Sequence, residues 1–360
     1  MLKSADKWML GYVQSVLRRS RVAGPKHLIV CVADHYEPFQ GEQDLGFALA
    51  QVKRWQDALP GVSAGVKDSG GYAPRHSFFY PEEEYHPEVL ARVADLCHGG
   101  LGETEIHLHH DNDTPEGLRK KLIAFRDVLH RDHGLLGVDA QGDVRYAFIH
   151  GNWALCNSRP DGRHCGVDAE LSILQETGCH VDMTFPSAPS PTQPRLVNGI
   201  YYAQDRTRGP RSADDGVLVR AGQPAAPGLL MLQGPLALNW GWRKFGILPR
   251  LENGELTAIN PPTSNRLALW ARQHIHVPGR PEWVFVKLHT HGCDPRHIEG
   301  LLSTGLPQLH KLLAEHVTEK HGWAFHYASA REMANMVRAA ESGAGGDPSN
   351  YRDFAVKAPA

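Results

Sequence analysis

Histidine and aspartate residues follow several short apolar runs of this sequence, and together they could bind a divalent metal ion. They are Asp34, His35, His107, His109, His110, Asp113, His289 and His291. Imidazole nitrogens and carboxylate oxygens are ligands that zinc and other first-row metals favour. A metal ion with an open coordination position lowers the pKa of bound water to about 7 and so creates a hydroxide nucleophile. These residues therefore predict a metal site for hydrolysis.

The densest group is the segment 107–113, with the sequence HLHHDND. Apolar residues alternate with His107 and His109, so on a β-strand both histidines point to the same face. Three histidines and two aspartates this close together are costly to bury unless a metal ion or a hydrogen-bond network compensates. The alternative is a solvated loop.

The elements that must position these residues alternate between apolar strands and amphipathic helices. Candidate strands are 27–33, 76–80, 104–109, 145–150, 180–185, 228–232, 283–289 and 323–327. Candidate helices are 44–58, 84–97, 116–133, 167–177, 264–275, 297–320 and 330–341. This alternation is typical of β/α units with a parallel sheet. It predicts a (β/α) barrel of seven or eight mostly parallel strands, whose carboxyl ends share one mouth.

The chain reads as one such barrel over residues 26–341, preceded by an N-terminal helix within 1–25. Long insertions rich in Pro, Gly and charge are expected at 186–227 and 234–262, and a flexible tail at 342–360. Residues 8–21 combine a helical apolar stripe with arginines, which indicates either packing on the domain or peripheral contact with a membrane.

Composition narrows the class of protein. A formal net charge of −2 with mixed signs argues against nucleic acid as a partner. The six cysteines are scattered, which favours reduced thiols. Neither a signal peptide nor a membrane-spanning run is evident, so a cytoplasmic location is expected.

The order of motifs resembles the polysaccharide deacetylase superfamily of metal-dependent carbohydrate esterases. VCVADHYEP (30–38) resembles the family's first strand, which ends in Thr-Phe-Asp-Asp, and EIHLH (105–109) is similar to its Glu-Ile-Gly-x-His motif. VKLH (286–289) resembles the last motif, and WAFHYASAREMANMV (323–337) is similar to the closing strand and helix. The resemblance implies an irregular β/α barrel that binds a divalent metal, most simply Zn²⁺, and removes an N- or O-acetyl group from a carbohydrate.

The resemblance also implies roles for single residues. Asp34 becomes the general base and His289 the general acid, with His291 orienting His289 or replacing it. The implied metal ligands are His35, His109 and Asp113. A change of register by one residue would instead make Asp34 a ligand, and His107 or His110 could replace Asp113.

Four further residues are candidates for substrate binding. Asn152 and Trp153 follow the fourth strand, in the region where the family binds substrate. Trp240 and Trp242 lie near Arg243 and Lys244, and aromatic faces with nearby donors commonly line sugar-binding surfaces. They could equally anchor a long loop.

Two other functions are open at this point. LHTHG (288–292) is similar to the His-x-His motif of metal-dependent phosphoesterases and amidohydrolases, although those families place it on the first strand. Because each deacetylase motif here departs from its pattern, a non-catalytic carbohydrate-binding or scaffold domain is the third hypothesis.

Overall fold

The protein is described by a computed structural model that covers residues 3–20, 26–41 and 44–359. The strands are β1 (His27–His35), β2 (His76–Pro81), β3 (Gly102–Leu108), β4 (Tyr146–His150), β5 (Cys179–Asp182), β6 (Ile200–Ala203), β7 (Val217–Leu218), β8 (Leu229–Leu232), β9 (Ala237–Lys244), β10 (Leu248–Glu252), β11 (Trp283–Thr290) and β12 (Ala324–Tyr327). The helices are α1 (Ala5–Arg18), α2 (Leu45–Ser63), α3 (Pro87–His98), α4 (Pro115–Asp127), α5 (Glu170–Glu176), α6 (Ser264–Gln273), α7 (Ile298–Gly300), α8 (Leu306–Leu312) and α9 (Ala330–Glu341). Three π-helical turns, Val128–Asp132, Leu301–Gly305 and Leu313–Glu319, extend α4, α7 and α8.

The fold is mixed α/β with a ten-stranded, mostly parallel sheet, as the alternation of strands and helices predicts. The main strand order is β11-β1-β2-β3-β4-β5-β8-β6-β7, and β12 pairs with the first half of β1. The eight predicted strands are β1 to β5, β8, β11 and β12, which run parallel to one another. Among the strands that the structure describes, antiparallel pairing is confined to β6 with β7 and β8, and to the separate hairpin of β9 and β10.

Both faces of the central sheet are covered, which explains its near-continuous apolar strands. On β1, Leu28 and Val30 point to the face packed with Trp55 of α2. We call this the α2 face. Ile29 and Cys31 point the other way, to the face packed with residues of α9. This is the α9 face, and strand alternation assigns His35 to it as well.

Helix ends are closed by local hydrogen bonds. The Asp44 side chain caps α2 by accepting from the Gly46 and Phe47 amides. At α9, Ser329 and Glu332 form a reciprocal capping box.

Within the described ranges, no helix is both long enough and apolar enough to cross a bilayer.

The N-terminal helix packs on the domain through one side. α1 occupies Ala5–Arg18 of the predicted 1–25, and residues 1–2 and 21–25 lie outside the described part of the chain. Trp8 is buried against Val197 and Leu236, whereas Leu10 is 72 % exposed. Half of the apolar stripe in 8–21 packs on the domain, namely Trp8, Met9 and Tyr12. The other half, Val13, Val16 and Leu17, is exposed.

The C-terminal segment corrects the expectation of a flexible tail over 342–360. Residues 342–359 are described, and a 3₁₀ turn forms at Pro348–Tyr351. Arg352 is buried and pairs with Asp68 and Glu332, while the Asn335 side chain donates to the carbonyls of Arg352 and Val356. The Gly- and Ala-rich composition of this segment does not indicate these contacts, because they depend on partners far away in sequence.

The predicted insertions are partly regular. The segment 186–227 contributes β6 and β7, and the segment 234–262 contributes the β9–β10 hairpin. The loop after the hairpin returns to the sheet, where Gly254 accepts a hydrogen bond from the His289 amide and Leu256 donates one to its carbonyl. The second insertion therefore lies directly against the end of β11.

Candidate metal centres

The structure divides the predicted histidine cluster between two groups of possible metal ligands. The first comprises His35, Glu37 and His107, at the carboxyl ends of β1 and β3, and we call it the mouth group. The second comprises His110, His150, Cys165 and Glu170, and we call it the loop group. Within each group the donor atoms lie within 4.8 Å of one another. Buried His/Cys/Glu groups at metal-binding distance are thus present, as expected for a metal protein.

The hydrogen bonds of His107 leave one of its nitrogens ready to bind a cation. Nδ1 lies 2.7 Å from the carbonyl of Ile149, which can only accept, so Nδ1 carries the hydrogen. In the neutral ring, Nε2 then has a lone pair, and it lies 3.2 Å from Glu37 Oε1. A lone pair facing a carboxylate is unfavourable unless a proton or a metal ion lies between the two atoms. Metal-binding histidines are commonly held in this way by a carbonyl behind the ring.

His35 completes the mouth group from β1. Its ring centroid lies 4.8 Å from that of His107 and 4.7 Å from that of His291. Burial, together with His291, His107 and His289, lowers the pKa of His35 well below its usual value. The ring is therefore neutral near pH 7, which is the form that binds metal.

Glu37 is held in its charged form by the same neighbours. Burial by itself would raise its pKa, but the hydrogen bond to His107 and the nearby His291 and His109 outweigh this and lower it. A charged carboxylate with two imidazole rings offers one anionic oxygen and two nitrogen donors. This donor set is typical of zinc sites that keep a position open.

His289 and His291 face the mouth group from β11. β11 pairs with β1, Ala33 lying opposite His289, and the His289 ring centroid is 6.3 Å from that of His35. Burial, Lys287 and His291 lower the pKa of His289 well below its usual value. Its Nδ1 is buried and has no hydrogen-bond partner among the described residues. Both histidines are therefore close to the group without belonging to it.

His109 lies at the rim and is paired with a different carboxylate. Its Nδ1 is 2.5 Å from Glu83 Oε1, and its Nε2 is 3.4 Å from Glu37 Oε1. Burial opposes protonation of His109, but Glu83 more than compensates and raises its pKa. The structure thus places His107, rather than His109, in the mouth group.

Asp34 points away from the mouth group. It is fully buried, its Oδ2 lies 2.8 Å from Nε2 of His76, and its Oδ1 accepts a 2.6 Å hydrogen bond from the Gly292 amide. His76 in turn packs on Trp55 of α2. Asp34 therefore lies on the α2 face, opposite to its neighbour His35, as strand alternation requires.

His110 and Asp113 belong with the loop group. His110 Nδ1 lies 3.1 Å from Asp113 Oδ2, and the Lys121 ammonium donates to the same oxygen at 2.7 Å. Asp113 accepts from the Thr114 amide, and Thr114 itself caps α4. The predicted His110 and Asp113 are together, but the structure does not bring them to His35.

A cavity of about 690 Å³ opens beside the mouth group. Its lining includes Glu37, Glu83, Glu84, His86 and His109. Burial raises the pKa of Glu84 to about 7, although the Phe39 amide donates to it. The cavity is within the size range of small-molecule sites, and its wall is acidic.

The four predicted substrate residues separate into two places. Trp153 is half-buried, with its ring centroid 6.3 Å from that of His35, so it forms part of the wall of the mouth. Asn152 is exposed beside it. Trp240 and Trp242 lie on β9, 57 % and 42 % exposed, and Arg250 stacks 4.1 Å from the Trp242 ring.

Sequence reasoning placed His150 at the end of the fourth strand, but it did not single out Glu37, Cys165 and Glu170 of these groups or Glu83 of the cavity wall. Glu37 had a visible signal, because it follows His35 at the same i, i+2 spacing that relates His107 to His109. Cys165 and Glu170 had none, since they reach the loop group from a long irregular segment. All six cysteines are free, as expected.

No protein-family model matches this sequence, and neither does any curated protein.

Proposed function

We propose that this protein is a metal-dependent hydrolase whose catalytic ion is held by His35, Glu37 and His107. The observation that carries the proposal is the fixed Nδ1 hydrogen of His107, which directs Nε2 to Glu37 Oε1 at 3.2 Å. Two imidazole nitrogens and one carboxylate oxygen suit Zn²⁺. When bound, such an ion polarises an acyl oxygen and makes water more acidic.

The two histidines of β11 are suited to carry protons. His289 and His291 lie next to His35 across the paired strands. Because burial keeps His289 neutral near pH 7, it can accept a proton and then pass it to a leaving amine or alcohol. Trp153 covers the same space and limits the access of bulk water.

Asp34 serves this site as a positioning residue. Its Oδ1 accepts from the Gly292 amide, so it fixes the chain immediately after His291. A Cβ atom on Gly292 would lie 2.0 Å from Asp34 Oδ2, which shows how closely the two segments approach. This replaces the role of general base that the deacetylase resemblance implies.

The proposed substrate is an acylated carbohydrate, from which the enzyme removes an N- or O-acetyl group. The carboxylates of Glu37 and Glu83 accept hydrogen bonds from sugar hydroxyls and repel the dianion of a phosphate monoester. This acidic wall favours the esterase over the phosphoesterase. We also infer that the sheet curves into an irregular barrel, since Lys287 of β11 donates across the α9 face to the Met183 carbonyl, just after β5.

The test combines metal analysis with product assays. Purified protein is expected to contain metal, and to release acetate from N- or O-acetylated sugar oligomers but no phosphate from phosphomonoesters. Glu37→Gln and His107→Ala should abolish release, whereas Glu88→Gln, on the exposed face of α3, should not change it.

Other outcomes decide against the proposal. Phosphate release without acetate release would establish the phosphoesterase alternative. A folded protein with no bound metal, no zinc uptake and no hydrolysis would leave the non-catalytic binding or scaffold domain. Full activity in Glu37→Gln would exclude the mouth group as the site.

A further inference from the structure

The loop group is a second set of donors, separate from the mouth group and more deeply buried. Its members His110, His150, Cys165 and Glu170 are all buried. They come from the turn after β3, the end of β4, the irregular segment before α5, and the first residue of α5. Four segments thus meet at one point inside the protein.

Hydrogen bonds behind both imidazole rings define where their hydrogens are. His150 Nδ1 lies 2.5 Å from the Gly151 carbonyl, which can only accept. His110 Nδ1 lies 3.1 Å from Asp113 Oδ2, a carboxylate oxygen that also accepts from the Lys121 ammonium at 2.7 Å. Both Nδ1 atoms therefore carry hydrogen. The two Nε2 atoms then face each other at 2.8 Å, so either a shared proton or a metal ion must lie between them.

Glu170 supplies an unsatisfied oxygen at the same point. Its Oε2 accepts a 2.6 Å hydrogen bond from the Cys156 amide, which fixes the carboxylate. Its Oε1 lies 3.4 Å from Nε2 of both His110 and His150. This oxygen is fully buried and has no hydrogen-bond partner in the described structure. An unpaired buried carboxylate oxygen is costly unless a cation compensates it.

Cys165 completes the set with sulfur. The backbone amides of Asn157 and Val167 both donate to its Sγ, at 3.4 Å each. The thiol itself lies 3.3 Å from Glu170 Oε2 as a donor, and the two amides would stabilise the thiolate once a metal ion replaces its proton. The group thus offers two nitrogens, one oxygen and one sulfur.

We propose that the loop group binds a second divalent ion, Zn²⁺, in a closed four-coordinate site. Four protein ligands leave no position for water or substrate, so this ion is structural. Zinc–nitrogen bonds of about 2.0–2.1 Å at tetrahedral angles place two nitrogens about 3.3 Å apart. The rings of His110 and His150 must therefore separate by about half an ångström, which side-chain rotation provides.

The structural ion would order one wall of the proposed active site. The Asp113 amide donates to the Cys165 carbonyl, and Gly166 packs on Asp113 so closely that a Cβ atom would lie 2.4 Å from its nitrogen. The same loops carry Trp153 and abut His109, since a Cβ on Gly151 would lie 2.3 Å from the His109 ring. Asn152, Trp153 and Cys156 have left-handed φ values, which need such external support.

The experiment replaces zinc with Co²⁺ and reads the bound ion by absorption. The chelated and reloaded protein should bind two ions per chain and show a thiolate-to-cobalt charge-transfer band. Glu37→Gln should reduce the count to one ion and keep the band, because Cys165 belongs to the loop group. Cys165→Ser should lose the band, whereas the matched control Cys156→Ser, a buried cysteine of the same loop, should keep it.

Glu170→Gln provides a second variant in case Cys165→Ser does not fold. Its amide oxygen can still accept from Cys156, and a chelator competition should show at least tenfold weaker binding of the cobalt that gives the band. Absence of the band in loaded wild-type protein, or an undiminished band in Cys165→Ser, would overturn the proposal and show that a shared proton links the rings. Because the band reports sulfur alone, this result is separable from failure of the mouth group, which the Glu37→Gln ion count reports.

Discussion

Replacing Glu37 by glutamine tests whether the mouth group is built for a cation. In the native protein a carboxylate oxygen faces His107 Nε2 at 3.2 Å, and in the neutral ring this nitrogen carries a lone pair. In Glu37→Gln the amide can turn so that its N–H donates to this nitrogen. The change thus satisfies His107 without an ion and removes the anionic ligand, with almost no change in shape.

The expected magnitudes follow from linkage. An ion present at a hundred times its Kd stabilises the folded state by about 2.7 kcal/mol. The entropy of unfolding for 360 residues is about 0.8 kcal/mol per kelvin, so this corresponds to a rise in Tm of about 3.5 °C. The new hydrogen bond in metal-free Glu37→Gln contributes about 0.5–1.5 kcal/mol, or about 1–2 °C.

The assay is calorimetric unfolding of metal-free protein with and without added Zn²⁺. Metal-free Glu37→Gln should unfold at the temperature of metal-free wild type or slightly higher, and its zinc-dependent rise should be smaller by about 3.5 °C. An unchanged zinc-dependent rise would show that Glu37 binds no ion. A strongly destabilised metal-free variant would refute the argument that a carboxylate opposes a lone pair there.

Three other changes test the remaining assignments. Asp34→Asn keeps an oxygen that accepts from the Gly292 amide. We therefore expect kcat to fall only about tenfold to a hundredfold, with unchanged metal content and pH profile. Complete loss of turnover with a shifted pH profile would restore Asp34 as the general base. Burial raises the pKa of Glu105 to about 8, so the folded state keeps a proton that the unfolded chain releases above about pH 4. The stability that the neutral Glu105 carboxyl contributes is fully present below about pH 4. It is lost as pH rises through 8, by up to about 1.4 kcal/mol per pH unit. Glu105→Gln should flatten the fall of Tm with pH, and parallel curves for variant and wild type would contradict this. Trp242→Ala should raise KM for a sugar oligomer without changing kcat if the hairpin binds substrate, and an unchanged KM would assign its stacking on Arg250 to the loop alone.

The sheet was predictable where both of its faces are buried. Strands β1 and β11, nine and eight residues long, are built on the apolar runs 28–33 and 283–286, and that pattern needs no knowledge of the partner strand. β7 has only two residues, both partly exposed, and β9 is exposed over most of its length. Their identity as strands comes from pairing, which a pattern of hydrophobic residues does not record.

The C-terminal segment was missed for a related reason. Its anchors are single polar residues rather than an apolar stripe. Arg352 is buried between Asp68 and Glu332, which come from opposite parts of the chain. A Pro- and Gly-rich composition is typical of flexible tails, and only the three-dimensional arrangement shows the partners that order this one.

At the mouth, strand geometry separates residues that motif order had joined. The resemblance to deacetylases gives neighbouring roles to Asp34 and His35, but adjacent residues of a strand point to opposite faces and cannot reach one ion. Residues two apart on a strand point to the same face and can reach one ion. The strand ends of β1, β3 and β11 each present such a pair, and the pairs are His35 with Glu37, His107 with His109, and His289 with His291. Since parallel strands end at the same edge, one pair per strand suffices to bring ligands and proton carriers together. The spacing that identified His107 and His109 therefore applies equally to His35 and Glu37, and the carboxylate that the mouth group needs is the second member of the first pair.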